Sequence, residues 1–570
     1  MSELKPHSQA VPAAVVFTNY SFAYAGSDRP VLHDVSFTLA LGSFTVLCGP
    51  TGSGKSTLLR AMKPEVAVEG TAAGSLAILG DDPADLDPRR SAARTGFVMQ
   101  DPENQLVTDT VWHELAFGLE NLGVEREEMR RRVAETAHFF GIGGWFERKV
   151  KDLSGGQKQL LNLAAVVVMQ PQVLVLDEPT SQLDPIAAKS FFDVLGRVNA
   201  ELGITVIIIE HRLEDVLPMA DRVLYLVDGG LAFNGTVSGF IAYLIGEQDP
   251  FAAALPAATR IAQLTGYTGA DQPVTVREGR AFLARVLAEA PALVPAENGS
   301  APGLAAGEVA LRASDLWFRY DRSSPFVLRG VDVEVRFGRI HALVGGNGSG
   351  KSTLLGALAG VRKPERGKVR KAGRAKVALL AQDPKSLFVC DTLFDDLMEW
   401  QEYGGYGEAQ VKAVMERFGL ERLGGRHPYD LSGGETQKAA LAKVLLLKPD
   451  VLLMDEPVKG IDAVTKRDVA QILKELAATG TAILFTAHDL EFVSQVADVC
   501  SMMFGCEITC TEGCHAFFTD NLFYSTATSR IARRLLPGCV TTQDVGRALR
   551  ERGAIPATAA DAEAAGEGLR

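Results

Sequence analysis

The sequence lacks any long apolar run, and this absence argues against a helical membrane-spanning protein, since a transmembrane helix needs about 20 apolar residues. The most apolar stretches, residues 163–169 and 204–209, are short and rich in β-branched side chains. They predict buried strands or helix segments. The opening MSELKPHSQA lacks the apolar core of a secretory signal. We therefore expect a cytoplasmic location, with any membrane role exerted through partner proteins.

Positive charge is also in short supply. Lysine and arginine number 58 against 70 aspartates and glutamates, so the net charge is −12. This balance argues against a general nucleic-acid binder. There are only seven cysteines among 570 residues, and a cytoplasmic location leads us to expect no structural disulfides. A hydrophobic fraction of 47% is enough for ordinary packed cores.

The chain repeats itself, with four patterns occurring twice in the same order. A glycine-rich phosphate-loop pattern occupies residues 49–57 (GPTGSGKST) and 345–353 (GGNGSGKST). The tetrapeptide LSGG follows in each copy, then an apolar run ending in Asp-Glu-Pro, then a lone histidine. Ser154 lies 23 residues before Asp177, and Ser432 lies 23 residues before Asp455. Repetition at matched spacing predicts two copies of one domain.

The repeats define the domain organisation. We expect the first domain at residues 14–245, a linker at 246–307, the second domain at 308–518 and a C-terminal extension at 519–570. Within the linker, residues 277–290 predict a short amphipathic helix, and residues 291–307 have linker composition. The composition of residues 554–570 predicts disorder.

Each glycine-rich loop follows a short apolar strand and precedes a helix. Small residues let backbone N–H groups close around a phosphate, and the helix directs its positive end to the same anion. Lys55 and Lys351 can then reach the β- and γ-phosphates, and Ser56 and Ser352 can ligate Mg²⁺. Although a glycine-rich turn alone can be only a turn, the strand, the helix and the second copy favour phosphate binding.

The apolar runs at residues 173–176 and 451–454 predict central strands of a parallel sheet, buried on both faces. Ligands of open α/β sheets bind at the carboxyl ends of such strands. We therefore expect Asp177 and Asp455 to hold Mg²⁺, directly or through water. The following residues, Glu178 and Glu456, are expected to orient and activate the attacking water. A solvated acidic turn is the plainer alternative, but it leaves the paired phosphate loops unexplained.

The LSGG segments resemble the signature motif of ATP-binding cassette (ABC) ATPases. Alone, LSGG could be a serine-capped helix start, and the two interpretations are compatible. The resemblance implies two P-loop NTPase cassettes of α/β class, each with a helical subdomain, and Mg²⁺-dependent ATP hydrolysis. It also implies that the signature of one cassette closes over the ATP of the other, so that one chain makes two composite head-to-tail sites.

Further residues match elements of this family. Tyr24 and Tyr320 match the aromatic residue that stacks on adenine, although a packed strand residue is an equally good interpretation. The resemblance implies that the Q-loop glutamines contact nucleotide and Mg²⁺, that the switch histidines contact the γ-phosphate, and that the remaining loop and signature residues bind ATP. The positions concerned are Gln100, Gln382, His211, His488, Gly49, Pro50, Thr51, Gly52, Ser53, Gly54, Thr57, Gly345, Gly346, Asn347, Gly348, Ser349, Gly350, Thr353, Ser154, Gly155, Gly156, Gln157, Ser432, Gly433, Gly434 and Glu435.

The two copies depart from the family in different ways. The D-loop aspartates are Asp184 and Asp462, but the second D-loop begins with Lys459 where the first has Ser181. No catalytic side chain is missing from either copy, so we expect both sites to hydrolyse ATP. The lysine leaves some asymmetry between them open.

The Q-loop region QDPENQ at residues 100–105 and the following segment at 110–121 look like the ATPases of energy-coupling factor importers. Residues 523–530 and 273–280 resemble motifs of that family's fused two-cassette members. The resemblance implies uptake of vitamins or transition-metal ions, with a transmembrane coupling protein and a small substrate-binding membrane protein as partners. Val111, Leu115 and Leu119 recur at helical spacing; they could line a groove for a coupling helix, but a core stripe is the commoner explanation.

The main alternative is a soluble tandem-cassette ATPase that acts on the ribosome as a translation factor. Such proteins resemble this chain in having two cassettes and no membrane span. Their linker is typically long, charged and helical, whereas residues 246–307 are rich in Ala and Pro and carry few basic residues. A DNA-repair or structural-maintenance ATPase would require a long coiled coil between phosphate loop and signature, and the sequence has none.

Overall fold

The computed structural model describes residues 12–26, 29–290 and 307–556. The chain divides into two compact units between Ala252 and Ala253. Each unit contains one sequence repeat folded around a mostly parallel sheet with helices, which confirms the predicted α/β class. No helix of the described part of the chain combines the length and the apolar character needed to cross a membrane.

The first unit contains the first cassette. Its strands are β1 (Ala13–Tyr24), β2 (Leu32–Ala40), β3 (Phe44–Cys48), β4 (Gly70–Ile78), β5 (Thr95–Val98), β6 (Val173–Asp177), β7 (Thr205–Ile209), β8 (Arg222–Val227) and β9 (Gly230–Gly235). Its helices are α1 (Lys55–Ala61), α2 (Pro88–Arg94), α3 (Val111–Asn121), α4 (Arg126–Phe139), α5 (Gly155–Val167), α6 (Pro185–Leu202), α7 (Leu213–Val216) and α8 (Val237–Gly246).

Two sheets organise this unit. The larger has the strand order β5-β6-β7-β3-β8-β9, parallel except for β9, and the smaller is the antiparallel sheet β2-β1-β4. All residues of β3, β6 and β7 are buried, as expected for central strands covered on both faces. Because β3 and β6 are both parallel to β7, their carboxyl ends lie at the same edge of the sheet. The phosphate loop follows β3 there, and the acidic pair follows β6.

The second unit begins with two helices and continues into the second cassette. Its helices are α9 (Ala257–Leu264), α10 (Val276–Glu289), α11 (Lys351–Leu358), α12 (Leu393–Met398), α13 (Gln401–Gly404), α14 (Glu408–Phe418), α15 (Gly433–Leu446), α16 (Ala463–Ala478), α17 (Leu490–Val496), α18 (Cys514–Asp520), α19 (Ala527–Ala532) and α20 (Thr542–Glu551). Its strands are β10 (Val309–Phe318), β11 (Leu328–Arg336), β12 (Ile340–Val344), β13 (Arg366–Lys371), β14 (Val377–Leu380), β15 (Val451–Asp455), β16 (Ala482–Thr486), β17 (Val499–Phe504) and β18 (Glu507–Gly513).

The second cassette repeats the topology of the first. Its large sheet has the order β14-β15-β16-β12-β17-β18 and its small sheet the order β11-β10-β13. The strand before the phosphate loop, β12, and the strand before the acidic pair, β15, are both wholly buried. The predicted central strands are thus confirmed in both copies.

Helices α9, α10, α19 and α20 share one apolar core, which we call the helical module. It contains residues from both sides of the second cassette, among them Ile261 and Leu283 before it and Ile531 and Leu549 after it. Parts of the linker and of the C-terminal extension therefore fold together. The module also contacts α17, because Glu491 accepts a hydrogen bond from the backbone of Ala527 at 2.9 Å.

The predicted helix at residues 277–290 is confirmed as α10, and a capping box between Thr275 and Glu278 begins it. Most of the segment predicted to be a composition-biased linker, residues 291–306, lies outside the described residues. So does the predicted disordered end from residue 557 onward.

Candidate functional site

The phosphate loop of the first cassette has a backbone that only glycine adopts readily. Gly49 has φ of 148° and Gly54 has φ of 92°, in the region disfavoured for residues with a Cβ. A Cβ on Gly49 would lie 2.0 Å from the carbonyl oxygen of Leu226. The side chain of Lys55 folds back across the loop, and Nζ donates to the carbonyls of Gly49 at 2.9 Å and Pro50 at 2.7 Å.

The second phosphate loop has the same geometry. Gly345 has φ of 152° and Gly350 has φ of 104°, and a Cβ on Gly345 would lie 2.3 Å from the carbonyl oxygen of Met503. Lys351 Nζ donates to the carbonyls of Gly345 and Gly346, both at 2.9 Å. Both lysines are therefore buried at the mouth of a tight backbone loop, a position from which an ammonium group can hold phosphate.

The two candidate adenine-binding tyrosines are tied to the helices that follow the loops. The hydroxyl groups of Tyr24 and Thr57 lie 2.6 Å apart, and those of Tyr320 and Thr353 lie 3.0 Å apart. Tyr320 is 55% exposed, and the guanidinium of Arg362 lies 4.8 Å from its ring centroid. The structure thus brings each predicted aromatic residue next to its phosphate loop.

In the first cassette the predicted Mg²⁺ ligands lie together. Asp177 is 4% exposed, and its Oδ1 accepts a hydrogen bond from Ser56 Oγ at 2.9 Å. Arg60 Nη2 lies 3.8 Å from Oδ2. Burial, and secondarily the charge of Glu178, raises the pKa of Asp177. A hydroxyl and a carboxylate at one point form the oxygen-rich donor set that Mg²⁺ prefers, so these residues fit that ion.

The carboxylate of Glu178 is held from both sides. Its Oε1 lies 2.9 Å from His211 Nε2, and its Oε2 accepts a hydrogen bond from Gln100 Nε2 at 3.0 Å. Burial acts to raise the pKa of Glu178, but His211 outweighs it and the pKa lies below its ordinary value. The backbone of Glu178 has φ of 46°, a conformation that non-glycine residues adopt at a cost and that often marks a functional site.

The acidic pair of the second cassette has different neighbours. Asp455 Oδ1 accepts a hydrogen bond from Thr486 Oγ1 at 2.6 Å. Glu456, with φ of 52°, has its Oε1 3.0 Å from His488 Nε2 and its Oε2 3.8 Å from Lys459 Nζ. Burial acts to raise the pKa of Glu456, yet His488, Lys459 and Lys351 bring it below its ordinary value.

The Q-loop glutamines are therefore not equivalent. Gln100 contacts Glu178, whereas within the described residues no hydrogen bond joins Gln382 to Glu456. Gln382 is exposed. The Mg²⁺ candidates differ in the same way: Ser56 donates to Asp177, but among the described residues no hydrogen bond joins Ser352 to Asp455.

Each signature segment begins a helix, as its sequence predicts. Ser154 Oγ accepts from the backbone of Gln157, whose side chain accepts from the backbone of Ser154, and Ser432 and Glu435 form the same capping box. These boxes fix the serine and the first N–H groups of α5 and α15. The adjacent glycines keep this helix start free of larger side chains, which suits it to bind an anion.

The D-loop aspartates also begin helices. Asp184 accepts from the backbone N–H groups of Ile186 and Ala187, and Asp462 accepts from that of Thr465. These contacts fix the turn between each acidic pair and the helix that follows it.

Residues beside the switch histidine of the first cassette were missed by motif reasoning. Glu210 is 3% exposed and accepts two hydrogen bonds from Thr180, from its backbone at 3.0 Å and its hydroxyl at 2.8 Å. Burial raises the pKa of Glu210 to about 7. The second cassette has Val458 and Ala487 at the matching positions. Aligning the two repeats would have revealed this paired difference.

The apolar stripe of α3 is part of the core, since Val111, Leu115 and Leu119 are all fully buried. Beside it, the other face of α3 opens on a cleft of about 350 Å³ between α3 and α5. Glu114 lies in its wall and accepts hydrogen bonds from the backbone of Val107 and Thr108. The remaining lining residues include Phe117, Gly118, Asn162, Ala165 and Met169.

Comparison with known proteins places both cassettes in one family. The family described as ABC transporter matches residues 32–181 and 328–459. A Bacillus thuringiensis protein that carries an ABC transporter ATP-binding protein name is 39% identical over 92% of this chain and 97% of its own length. The Bacillus subtilis protein YkoD, named for HMP/thiamine import, is 32% identical over 86% of this chain and 90% of its own length.

A solved structure of an archaeal ribosome recycling factor, aABCE1, bound to a ribosomal stalk protein, is also similar. It is 20% identical, with a TM-score of 0.54 over 88% of this chain and 90% of that chain. At this identity the likeness shows a shared tandem-cassette fold and nothing about the partner.

Proposed function

The chain belongs to the ABC transporter family and is an ATPase with two cassettes, and from this premise we propose that it energises a membrane importer of the energy-coupling factor type. The cargo class is a vitamin or a transition-metal ion. One observation carries the proposal: an import ATPase name belongs to a relative aligned over 90% of its own length. The Q-loop and tail motifs of the sequence support the same assignment.

The phosphate loops bind the nucleotide. Each loop offers backbone N–H groups, and the ammonium groups of Lys55 and Lys351 exchange loop carbonyls for the β- and γ-phosphates. Tyr24 and Tyr320 provide an aromatic surface for adenine. Ser56 and Asp177 would hold Mg²⁺ in the first site, and Ser352 and Asp455 would hold it in the second. The Q-loop glutamine of each site would be a further ligand. The ion supplies charge neutralisation at the phosphates.

Water is activated by the glutamates after the strands. Glu178 and Glu456 accept the proton of the attacking water at a carboxylate oxygen, and His211 and His488 hold the same carboxylates in position. Following the family, Ser432 to Glu435 complete the site built on residues 49–57, and Ser154 to Gln157 complete the site built on residues 345–353. Charge that develops on the γ-phosphate is then met by helix N–H groups.

The partners are a transmembrane coupling protein and a small substrate-binding membrane protein, which hold the chain on the cytoplasmic face of the cell membrane. The cleft between α3 and α5 lies close to the Q-loop, since Gln105 and Asn162 both line it. A coupling helix seated there would be mechanically linked to Gln100 and so to Glu178.

Co-expression with a coupling protein and affinity capture from detergent tests the proposal. We expect the chain to be retained with the membrane proteins, and Ala165→Lys, which places a charged side chain in the cleft, to weaken retention. The Glu178→Gln/Glu456→Gln variant, which leaves the cleft intact, is the matched control and should be retained. Stable co-purification with ribosomes, without membrane retention, would instead support the translation-factor alternative.

A further inference from the structure

Lys459 lies in the turn after the acidic pair of the second cassette, beside the carboxylate of Glu456. Its Nζ lies 3.8 Å from Oε2, while His488 Nε2 lies 3.0 Å from Oε1. The side chains of Lys459 and Glu456 are 24% and 13% exposed. Both oxygens of this carboxylate are therefore next to a basic side chain, in a place where solvent screens charge poorly.

The first cassette fills the corresponding position with a neutral group. There Glu178 Oε2 accepts a hydrogen bond from the amide of Gln100 at 3.0 Å. Ser181 stands at the position of Lys459, and its Oγ is buried without a hydrogen-bond partner among the described residues. Ser181 therefore makes no side-chain hydrogen bond with Glu178 among the described residues, whereas Lys459 forms an ion pair with Glu456.

The two turns begin with the same backbone hydrogen bond but diverge at the following residue, where Gly460 has φ of 67° and Gln182 does not have a positive φ. Ser181 N donates to the carbonyl of Glu178 at 3.2 Å, and Lys459 N donates to the carbonyl of Glu456 at 3.2 Å. Both glutamates also have positive φ, 46° and 52°. Residues 181 and 459 therefore leave the main chain at matching points, and substituting them tests what the charge of Lys459 does to Glu456.

We infer that Lys459 is a positioning residue that slows ATP hydrolysis in the second cassette by holding the Glu456 oxygen that must turn to the attacking water. The inference rests on the proposed role of Glu456 as general base. A general base needs its proton donor within about 2.6–3.2 Å, and the attraction of the ammonium group at 3.8 Å opposes rotation of Oε2 toward the attacking water. The first cassette, whose base is held by an amide, is then the faster of the two.

A single-turnover experiment on the full chain isolates the second cassette. In a Glu178→Gln background, the chain is mixed with ATP and quenched at intervals, so that hydrolysis of the one ATP handled by Glu456 is followed. Lys459→Ser should raise the first-order rate constant by about 3–10-fold, the scale of a modest change in base catalysis. The Kd for ATP should stay unchanged, since Lys459 acts on the base and the phosphate loop binds ATP.

Conservative variants separate charge from packing. Lys459→Met keeps most of the side-chain length without the charge and should be as fast as Lys459→Ser. Lys459→Arg keeps the charge and should remain slow. The reciprocal variant, Ser181→Lys in a Glu456→Gln background, should slow the first cassette by a similar factor.

An unchanged or lower rate constant in Lys459→Ser and Lys459→Met, or a change in Kd alone, contradicts the inference. In a Glu178→Gln/Glu456→Gln variant, single-turnover hydrolysis should be at least about 10²-fold slower than in the Glu178→Gln parent. If the rate is not reduced there, the base assignment in the proposed function fails; if it is reduced while Lys459→Ser has no effect, only the inference about Lys459 fails.

Discussion

The two cassettes agree where the backbone makes the site and differ where side chains make it. The phosphate loops match closely, with φ of 148° and 152° at Gly49 and Gly345 and the same lysine-to-carbonyl contacts. Around the acidic pairs, by contrast, Asp177 contacts Ser56 and Arg60, whereas Asp455 contacts Thr486. A tight glycine loop tolerates little variation, whereas the side chains around the acidic pairs differ between the two copies.

The contrast extends behind the switch histidines. The first cassette has the buried pair of Thr180 and Glu210, which the second replaces by two apolar residues. In the second cassette α17 is tied to the helical module, through Glu491 and the backbone of Ala527. Two domains of one fold can thus place the same proposed catalytic residues beside different neighbouring groups.

Removing the proposed general bases should have the largest effect. Glu178→Gln and Glu456→Gln should each lower the hydrolysis rate of the affected site by about 10²–10⁴-fold, the usual contribution of a general base. ATP binding should remain, since the phosphate loop does the binding, and each variant should trap an ATP-loaded form. Steady-state ATPase assays on the purified complex measure the loss of turnover. Because the two halves act together, the losses should not add; a variant with wild-type turnover would mark its site as regulatory.

Lys443 provides the next largest difference between the cassettes. Its side chain is fully buried and contacts Asp396 Oδ1 at 2.9 Å and Glu399 Oε2 at 2.5 Å, whereas the first cassette has Ala165 at this position. Lys443→Ala should destabilise the second cassette by about 3–5 kcal/mol, because it leaves Asp396 buried without its cation.

Chemical denaturation monitored for the second cassette would measure this loss. Lys412→Ala is the matched control, since it removes an exposed pair with Glu408 and should leave the free energy of unfolding nearly unchanged. Equal effects of the two substitutions would contradict the structural role of Lys443.

A smaller effect than that of Lys443→Ala is expected from pH, because the stability of the first cassette should depend on the protonation of Glu210. Burial raises the pKa of Glu210 to about 7, from 4.5 in an unfolded chain. Between these values the folded state holds a proton that the unfolded state releases, so stability falls as the pH rises through this window. The loss should be on the order of 3 kcal/mol.

Glu210→Gln imitates the protonated carboxyl group and should remove this component. Thermal unfolding at pH 5 and at pH 8 would show a smaller shift in Tm for the variant than for the wild-type chain. Glu408→Gln, at an exposed position, is the control and should leave the wild-type shift in place. Parallel shifts in Glu210→Gln and the wild type would show that Glu210 titrates in its ordinary range.

The sequence predicts the elements that depend on short-range patterns of residues. The strands before both phosphate loops, the serine-capped signature helices and the helix at α10 follow from short-range periodicity and capping residues. It did not reach contacts between segments distant in the chain, such as Thr486 with Asp455. Nor could the sequence show that Lys459 pairs with Glu456 of its own cassette, because the direction of that side chain depends on the turn geometry.

The most direct test of the account is the number of ATP molecules that one chain holds when hydrolysis is blocked. Equilibrium binding to the Glu178→Gln/Glu456→Gln variant should saturate at two ATP molecules per chain, because both phosphate loops are complete. Adding Lys55→Ala or Lys351→Ala should reduce this number to one. Saturation at a single ATP per chain, with both lysines in place, would contradict the claim that this polypeptide carries two working nucleotide sites.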